Sequence, residues 1–153
     1  GLAYSFFAPY WNSHVAEIAE VSVNQDTGEI KVHKMWAAID PGVAVHPKNA
    51  AAQMESAIVF GVSHALKEKI TIKGGAVQES NFHDYPVMRM DEVPEIEVKV
   101  MANGKTAPGG LGEVGLPLTS PAIANGVAAL TGKRLRHLPF SPESVKAALK
   151  SSS

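Results

Sequence analysis

The sequence of 153 residues contains no cysteine, which excludes disulfides, thiolate metal sites and cysteine nucleophiles. It also lacks an excess of charge of either sign, because 14 lysines and arginines accompany 15 aspartates and glutamates. Such a balance argues against nucleic acid and anionic membranes as partners, since both require a basic surface. No apolar run approaches the roughly 18 residues of a membrane-spanning helix.

Short enzyme motifs are also missing. The six histidines form no HxxxH or HxH pair, so the sequence predicts no metal site built from protein ligands. There is no GxSxG elbow and no GxxxxGK(S/T) phosphate-binding loop. His83-Asp84 admits two interpretations, a general base with its orienting carboxylate or a hydrogen-bonded pair in a loop, and the second is favoured.

Gly110-x-Gly112-x-x-Gly115 matches the dinucleotide-binding pattern, in which the glycines stand immediately between a strand and a helix. Here the preceding predicted strand ends at residue 101, and the next helix is predicted to begin only after Leu116-Pro117. The pattern also requires an acidic residue about 20 positions further on, and the sequence has Arg-Leu-Arg there. The match therefore does not predict a nucleotide site.

What is present indicates one globular domain, residues 1–153, with a single core. Apolar residues make up 45% of the chain and charged residues 19%, as in ordinary globular proteins. Residues 13–24 and 29–39 are rich in β-forming residues and flank Asp26-Thr27-Gly28, which predicts a hairpin. The first strand is apolar on both faces, which predicts a central position in a sheet.

The remaining elements alternate between helix and strand. Residues 48–69 carry an apolar residue at every fourth position, which predicts a helix, and Gly61 inside it predicts close approach of another element. Further predictions are a strand over 95–101, a helix from Thr119 or Ser120 to Gly132, a short strand over 134–138 and a helix from 142. The predicted fold class is α+β, with helices on one side of a mixed sheet in two layers.

The loop 104–118 contains the main functional clue. A glycine loop before a helix ordinarily favours an anionic ligand, yet this loop carries a carboxylate, Glu113, between glycines. One interpretation is a charge that stabilises the positive end of the following helix. The other is a general base, since the glycines allow a ligand to approach the backbone closely.

The chain resembles the C-terminal segment of the large subunit of molybdenum hydroxylases, in the xanthine dehydrogenase/aldehyde oxidase superfamily. It is most similar to the branch of isoquinoline 1-oxidoreductase beta subunits and membrane-associated aldehyde dehydrogenases. The likeness spans about residues 1–140 and rests on GGLGEVGLPLTSPAIANGVAALTGKRLRHLPF, DPGVAVHPKNAAAQMESAIVFGVSHAL, NFHDYPVMRMDEVPEIEV and SHVAEIAEVSVNQDTGEIKVHKMW. The glutamate loop and the glutamine helix are its most specific parts.

The resemblance implies a molybdopterin-binding-domain-like fold and a set of site residues. Glu113 matches the family's catalytic glutamate, a base that accepts a proton at the metal while a substrate C–H carbon is hydroxylated. Gln53 matches the pterin-contacting glutamine, and Gly112 would allow the backbone to approach the metal site. The metal is held by the dithiolene of the molybdopterin, so no protein metal ligand is expected.

The same resemblance implies the partners. They are the remaining part of the large subunit, a small iron–sulfur (2Fe-2S) subunit and a small-molecule substrate, an aldehyde or an N-heteroaromatic compound. The cytosine dinucleotide form is one candidate for the cofactor, and the isolated chain is expected to lack cofactor and activity. The family branch suggests a periplasmic or membrane-associated enzyme, while the residues themselves leave the location open.

The chain also departs from the family. Large subunits are several times longer, so the resemblance implies a fragment or one subunit of a split enzyme. Ser56 stands where glycine is common, and Val114-Gly115 stands where the purine-oxidising branch has two prolines, which points away from xanthine. A different class of function remains open, a stand-alone α+β binding or scaffold module. The aromatic N-terminus is predicted to be an interface in the whole enzyme, through Phe6, Phe7, Tyr10 and Trp11.

Overall fold

A computed structural model describes residues 1–7 and 12–150. Its strands are β1 Leu2–Phe7, β2 Ser13–Val23, β3 Ile30–Asp40, β4 Ile72–Lys73, β5 Ala76–Val77 and β6 Glu95–Val100. The main sheet has the strand order β1-β2-β3-β6, in which β1–β2 and β2–β3 pair antiparallel and β3–β6 pair parallel. The helices are α1 Pro47–Leu66, α2 Leu116–Thr131 and α3 Pro142–Lys150, with a short 3-10 turn at Met90–Glu92.

The predicted hairpin forms as β2 and β3. Its turn is set by local chemistry: the Asn24 side chain accepts hydrogen bonds from the backbone N–H groups of Asp26 and Thr27, and Gly28 takes a positive φ of 83°. An L-residue with a side chain rarely adopts that conformation, which explains the glycine. β2 lies between β1 and β3, so the predicted central position is confirmed. The edge strand β1 was not predicted.

The sheet is covered by helices on one face only. Along β2, Val15 and Ala19 point into the core and are buried, whereas Ile18 points to the other face and is 45% exposed. Helix α2 packs on β1 and β2, and α1 packs on β3 and β6. This arrangement confirms the predicted two-layer α+β architecture with helices beside a mixed sheet.

Helix α1 buries the predicted stripe, since Met54, Ile58 and Val62 are all fully buried. The helix ends at Leu66, three residues short of the predicted end at 69. Gly61 marks a close crossing: a Cβ atom there would lie 2.5 Å from the Cβ atom of Thr119 on α2. The predicted close approach at Gly61 is therefore confirmed.

Helix α2 begins earlier than predicted, at Leu116 rather than after Thr119 or Ser120. Proline lacks a backbone N–H, but Pro117 lies in the first turn, where that group has no partner within the helix. Pro121 lies inside the helix. The argument that Leu116-Pro117 delays the helix was therefore wrong, while the long gap after β6 and the missing acid still argue against a dinucleotide site. Gly132 ends the helix with φ 72°, as predicted.

The predicted strand over 134–138 was wrong. This segment lies beside α1 and α2, where it lines a groove with His64 and Pro117, and no described strand of the main sheet pairs with it. The chain then places Phe140 in the core, where its backbone N–H donates to the carbonyl of Ala65 at 2.6 Å. Helix α3 follows as predicted. Among the described residues, no helix combines the length and apolarity needed to cross a membrane.

Candidate functional site

Glu113 lies in the turn that leads into α2. The backbone N–H of Leu116 donates to the Glu113 carbonyl at 3.1 Å, which places the glutamate one turn before the helix. Its side chain is exposed and makes no hydrogen bond or ion pair with a described residue. The next residue, Val114, is only 1% exposed. A buried anchor therefore stands directly beside a carboxylate that remains available to a ligand.

The segment before Glu113 is fixed to the end of β3 and the start of β2. The backbone N–H of Gly109 donates to the carbonyl of Pro41 at 2.7 Å. The hydroxyl of Ser13 donates to the carbonyl of Gly110, also at 2.7 Å. The glycine loop is thus held by the sheet ahead of Glu113 and by the core after it, which fixes the backbone position of Glu113.

The structure brings Gln53 and Gly112 together. A Cβ atom at Gly112 would have the side-chain nitrogen of Gln53 as its nearest neighbour, 3.6 Å away. Gln53 is exposed because it lies one residue, about 100° around the helix, from the buried Met54. Because Glu113 adjoins Gly112 in the chain, the three residues predicted as site residues share one surface. Their roles toward a cofactor stay predictions.

Two glycines explain how α1 comes so close to the glycine loop. Gly61 allows α2 to cross α1 at Thr119. A Cβ atom at Gly115 would lie 2.9 Å from Cε of Met54, so the first turn of α2 rests directly on α1. Because these two positions carry no side chain, the start of α2 can rest on α1 close to Gln53. Gly112, which precedes α2, then lies beside the glutamine.

The chemistry of this surface fits a pterin more readily than a bare metal ion. No group of three or more histidines, aspartates and glutamates among residues 1–7 and 12–150 is placed to hold a metal. The Gln53 amide offers both donors and an acceptor, and it makes no hydrogen bond with a described residue. An open glycine backbone beside such an amide can accept a planar, polar ring, with the Glu113 carboxylate at its edge.

Sequence reasoning missed a buried carboxyl group behind this surface. Glu17 on β2 is 0% exposed, and its Oε2 atom accepts a hydrogen bond from the hydroxyl of Thr119 on α2 at 2.8 Å. Burial raises the pKa of Glu17 to about 7, against the smaller opposite effect of the Thr119 hydrogen bond. The alternation of β2 could have revealed it, because Glu17 stands between Val15 and Ala19 on the core-facing positions.

His83 and Asp84 are neighbours in a loop, where their side chains approach without a hydrogen bond between them. The Asp84 carboxylate accepts hydrogen bonds from the backbone N–H groups of Ser80 and Asn81, which hold its pKa down to about 2. The Nε2 atom of His83 lies 3.5 Å from Asp84 Oδ2, and His83 is exposed. Asp84 therefore has a structural role, since its carboxylate caps the backbone N–H groups of its own loop.

A groove of about 470 Å³ lies on the other side of the first turn of α2. Apolar side chains of α2 and of the segment 134–140 form most of it, and Arg134, Arg136 and His64 stand at its border. None of Gln53, Gly112 and Glu113 lines it. The groove is therefore separate from the surface that the site residues share.

Comparison with known structures identifies the class of fold. The chain superposes on quinoline 2-oxidoreductase from Pseudomonas putida 86 with a TM-score of 0.81, covering 92% of this chain and 19% of that one. At 18% sequence identity this likeness concerns the fold alone. Residues 5–94 match the family of molybdopterin cofactor-binding domains, and the chain belongs to that family. The matched range includes Gln53 and ends before Gly112 and Glu113.

The similarity to curated relatives includes the glutamate loop. The chain is 43% identical over 142 residues to the isoquinoline 1-oxidoreductase subunit beta of Brevundimonas diminuta, covering 93% of this chain and 18% of the relative. It is 34% identical over 137 residues to a membrane-bound aldehyde dehydrogenase of Gluconacetobacter polyoxogenes, covering 90% of this chain and 17% of the relative. The name of the second relative refers to pyrroloquinoline quinone. The chain thus spans less than a fifth of the length of these relatives, and the family resemblance seen in the sequence is confirmed.

Proposed function

We propose that this chain is the C-terminal segment of the large subunit of a molybdopterin-dependent hydroxylase. The complete enzyme acts on a C–H carbon of an aldehyde or an N-heteroaromatic compound, and Glu113 is its catalytic base. The observation that carries the proposal is the meeting of the free Gln53 amide with the open backbone of Gly112, directly beside the unpaired Glu113 carboxylate. The names of the relatives support the class of substrate.

Each of the three residues has a distinct task in this proposal. Gln53 pairs with polar atoms of the pterin ring, and Gly112 lets the ring approach the backbone. When bound, the molybdenum cofactor supplies the two-electron redox chemistry. The net reaction converts a C–H group and water into a C–OH group, two electrons and two protons. Glu113 accepts one of these protons, and its exposure lets that proton pass on to solvent.

The open surface explains why further chain is needed. All three site residues are exposed, so the residues of this chain form only one wall of the site. The remaining part of the large subunit would supply the other wall, and a small iron–sulfur (2Fe-2S) subunit would take up the electrons. The cytosine dinucleotide form is one candidate for the cofactor in this proposal, as the family resemblance implies.

The same exposure favours a second candidate function. A domain whose three candidate residues are all exposed could serve as a binding or scaffold module that keeps the fold without the chemistry. In that case Glu113 is only a charge near the start of α2, worth roughly 0.3–1 kcal/mol of stability. The two candidates differ in what the removal of the carboxylate does to turnover.

The deciding experiment is Glu113→Gln in the full-length protein with its partner subunit. The amide has nearly the shape of the carboxylic acid, so molybdenum content and melting temperature should stay at wild-type values. Turnover per bound molybdenum should fall by a factor on the order of 10²–10⁴, because the amide cannot accept the proton. Glu20→Gln, an exposed change of the same charge on β2, is the matched control. Early melting with normal turnover would establish the helix-charge role instead.

A further inference from the structure

Two buried polar side chains of β2 hold the segment that carries Glu113. Ser13 and Glu17 are both 0% exposed and lie four residues apart, so they project from the same face of the strand. Ser13 is bonded to the carbonyl of Gly110 and Glu17 to the hydroxyl of Thr119. These two contacts bracket Glu113, one ahead of it and one after it.

The described residues around Glu17 leave its carboxyl group without a charged partner. Its neighbours in register are Ala3 on β1 and Ala37 on β3. Helix α2 presents Thr119, and Gly61 of α1 packs behind that threonine. None of these groups titrates, and the Oε1 atom of Glu17 has no hydrogen-bond partner among the described residues. An ionised carboxylate here would be an uncompensated buried charge, which is strongly unfavourable.

The heavy-atom distances around Thr119 can be satisfied with Glu17 as the neutral acid. The Thr119 hydroxyl has one proton to donate, and two acceptors lie near it, Glu17 Oε2 at 2.8 Å and the Gly115 carbonyl at 3.3 Å. If Oε2 carries a proton, Glu17 donates to Thr119, which then donates to Gly115. If Glu17 is ionised, Thr119 must give its proton to the carboxylate and the Gly115 carbonyl loses this bond.

We propose that Glu17 is a positioning residue that acts as a neutral acid through Thr119 to fix the first turn of α2, and with it Glu113. Gly115 stands two residues after Glu113, within the turn that the Leu116-to-Glu113 hydrogen bond closes. A shift at Gly115 would therefore move the carboxylate, and a displacement of about 1 Å at a reacting group can cost 10²-fold in rate. This inference rests on the proposed function, in which Glu113 is the base.

The test uses conservative and disruptive variants of the full-length protein with its partner subunit. Glu17→Gln and Thr119→Ser keep a side chain that can donate to its neighbour, and turnover per bound molybdenum should stay within about twofold of wild type. Glu17→Leu and Thr119→Val remove the link, and turnover should fall roughly 10-fold to 10²-fold. Amide hydrogen exchange over residues 113–119 should accelerate in the second pair only.

The pH dependence of turnover distinguishes a positioning role of Glu17 from a purely structural one. Turnover of the wild type should decline as the pH rises through about 7, because Glu17 then ionises and the bond from Thr119 to Gly115 is lost. The Glu17→Gln variant should not show that decline, because its amide does not titrate. Glu20→Gln, which removes a charge from the exposed face of the same strand, should retain the wild-type profile.

Several outcomes would overturn the inference. If Glu17→Gln is as slow as Glu17→Leu, the negative charge is needed and the neutral-acid role is wrong. If Glu17→Leu and Thr119→Val leave both turnover and hydrogen exchange unchanged, the contact between Glu17 and Thr119 does not position the first turn of α2. If Glu113→Gln retains full turnover, the proposed function fails. The hydrogen-exchange comparison still decides in that case whether Glu17 holds the turn.

Discussion

The side-chain nitrogen of Gln53 lies 3.6 Å from the position that a Cβ atom would take at Gly112, nearer than any other described side chain apart from those of the adjoining residues. The two residues are far apart in sequence and meet because α1 supports the start of α2. This spacing is ordinary van der Waals contact, so the surface in front of Gly112 has room for one methyl group. A ligand that approaches the Gly112 backbone closely would need the space that this methyl group takes.

Gly112→Ala should therefore separate folding from cofactor binding. The free energy of unfolding should stay within about 0.5 kcal/mol of wild type, because the added methyl group meets no close neighbour. Molybdenum content of the full-length protein should fall, because the methyl group takes the space of the ligand. Thermal melting and elemental analysis measure the two effects. Ser56→Ala, an exposed change on α1, is the control, and a stability loss with unchanged molybdenum would contradict the prediction.

Gly61→Ala should destabilise the fold, although alanine favours helix by about 1 kcal/mol over glycine. A Cβ atom at residue 61 would lie 2.5 Å from Cβ of Thr119, a contact that only movement of α1 or α2 can relieve. We expect a loss of roughly 1–3 kcal/mol, measured by urea unfolding of the isolated chain. The Ser56→Ala variant on the same helix should keep wild-type stability. A more stable Gly61→Ala variant would show that the two helices are not in tight contact.

Stability should depend on pH through Glu17. Its pKa is about 7 in the folded chain against an ordinary 4.5. Between these values the folded state holds a proton that the unfolded state has released, so stability falls as the pH rises from about 4.5 to 7 and is then level. The loss relative to Glu17→Gln is on the order of 3 kcal/mol. Unfolding curves of both proteins at pH 4.5, 6 and 8 test this, and parallel pH dependences would contradict it.

The isolated chain should fold and carry no molybdenum. Its core contains residues from the main sheet and from all three helices. In contrast, the surface shared by Gln53, Gly112 and Glu113 is open to solvent. Circular dichroism with cooperative melting would verify the first expectation. Stoichiometric molybdenum in the purified chain, found by elemental analysis, would disprove the second.

The uncovered face of the main sheet should mediate contacts. Leu2, Tyr4, Phe6 and Ile18 are between 44% and 60% exposed on this face, where Phe6 stacks on His14 with ring centroids 4.2 Å apart. The side chain of Phe7, and Tyr10 and Trp11 altogether, lie outside the described residues. We predict that this face is an interface in the whole enzyme and that the isolated chain self-associates through it.

Sedimentation analysis over a range of concentrations measures that association. The double variant Phe6→Ser, Ile18→Ser should be monomeric at concentrations where the wild-type chain associates. Phe82→Ser is the matched control, since Phe82 is 70% exposed in a loop away from the sheet. A wild-type chain that stays monomeric at high concentration, with these side chains ordered and exposed, would count against the interface.

Much of the fold could be predicted because the sequence patterns that specify its helices and its hairpin are local. The hairpin of β2 and β3 follows from the β-forming residues that flank Asp26-Thr27-Gly28, and α1 follows from its four-residue apolar spacing. The start of α2 was placed too late because Pro117 was read as an interruption, whereas the first turn of a helix tolerates proline. The strand predicted over 134–138 failed because this segment packs beside α1 and α2 instead of pairing with an edge strand, which no local pattern reveals.

The sequence by itself determined the fold class, the family and the identity of Glu113, Gln53 and Gly112 as candidates. Those conclusions depend on residue type and spacing, which are properties of the chain alone. Only the tertiary structure decided that the three candidates share one surface, because that depends on the helix crossing at Gly61. It also placed Glu17 and Thr119 in contact across 102 residues of sequence. The carboxyl group titrates near neutral pH because packing removed water and left it no charged partner, and burial of that kind is a property of the whole fold.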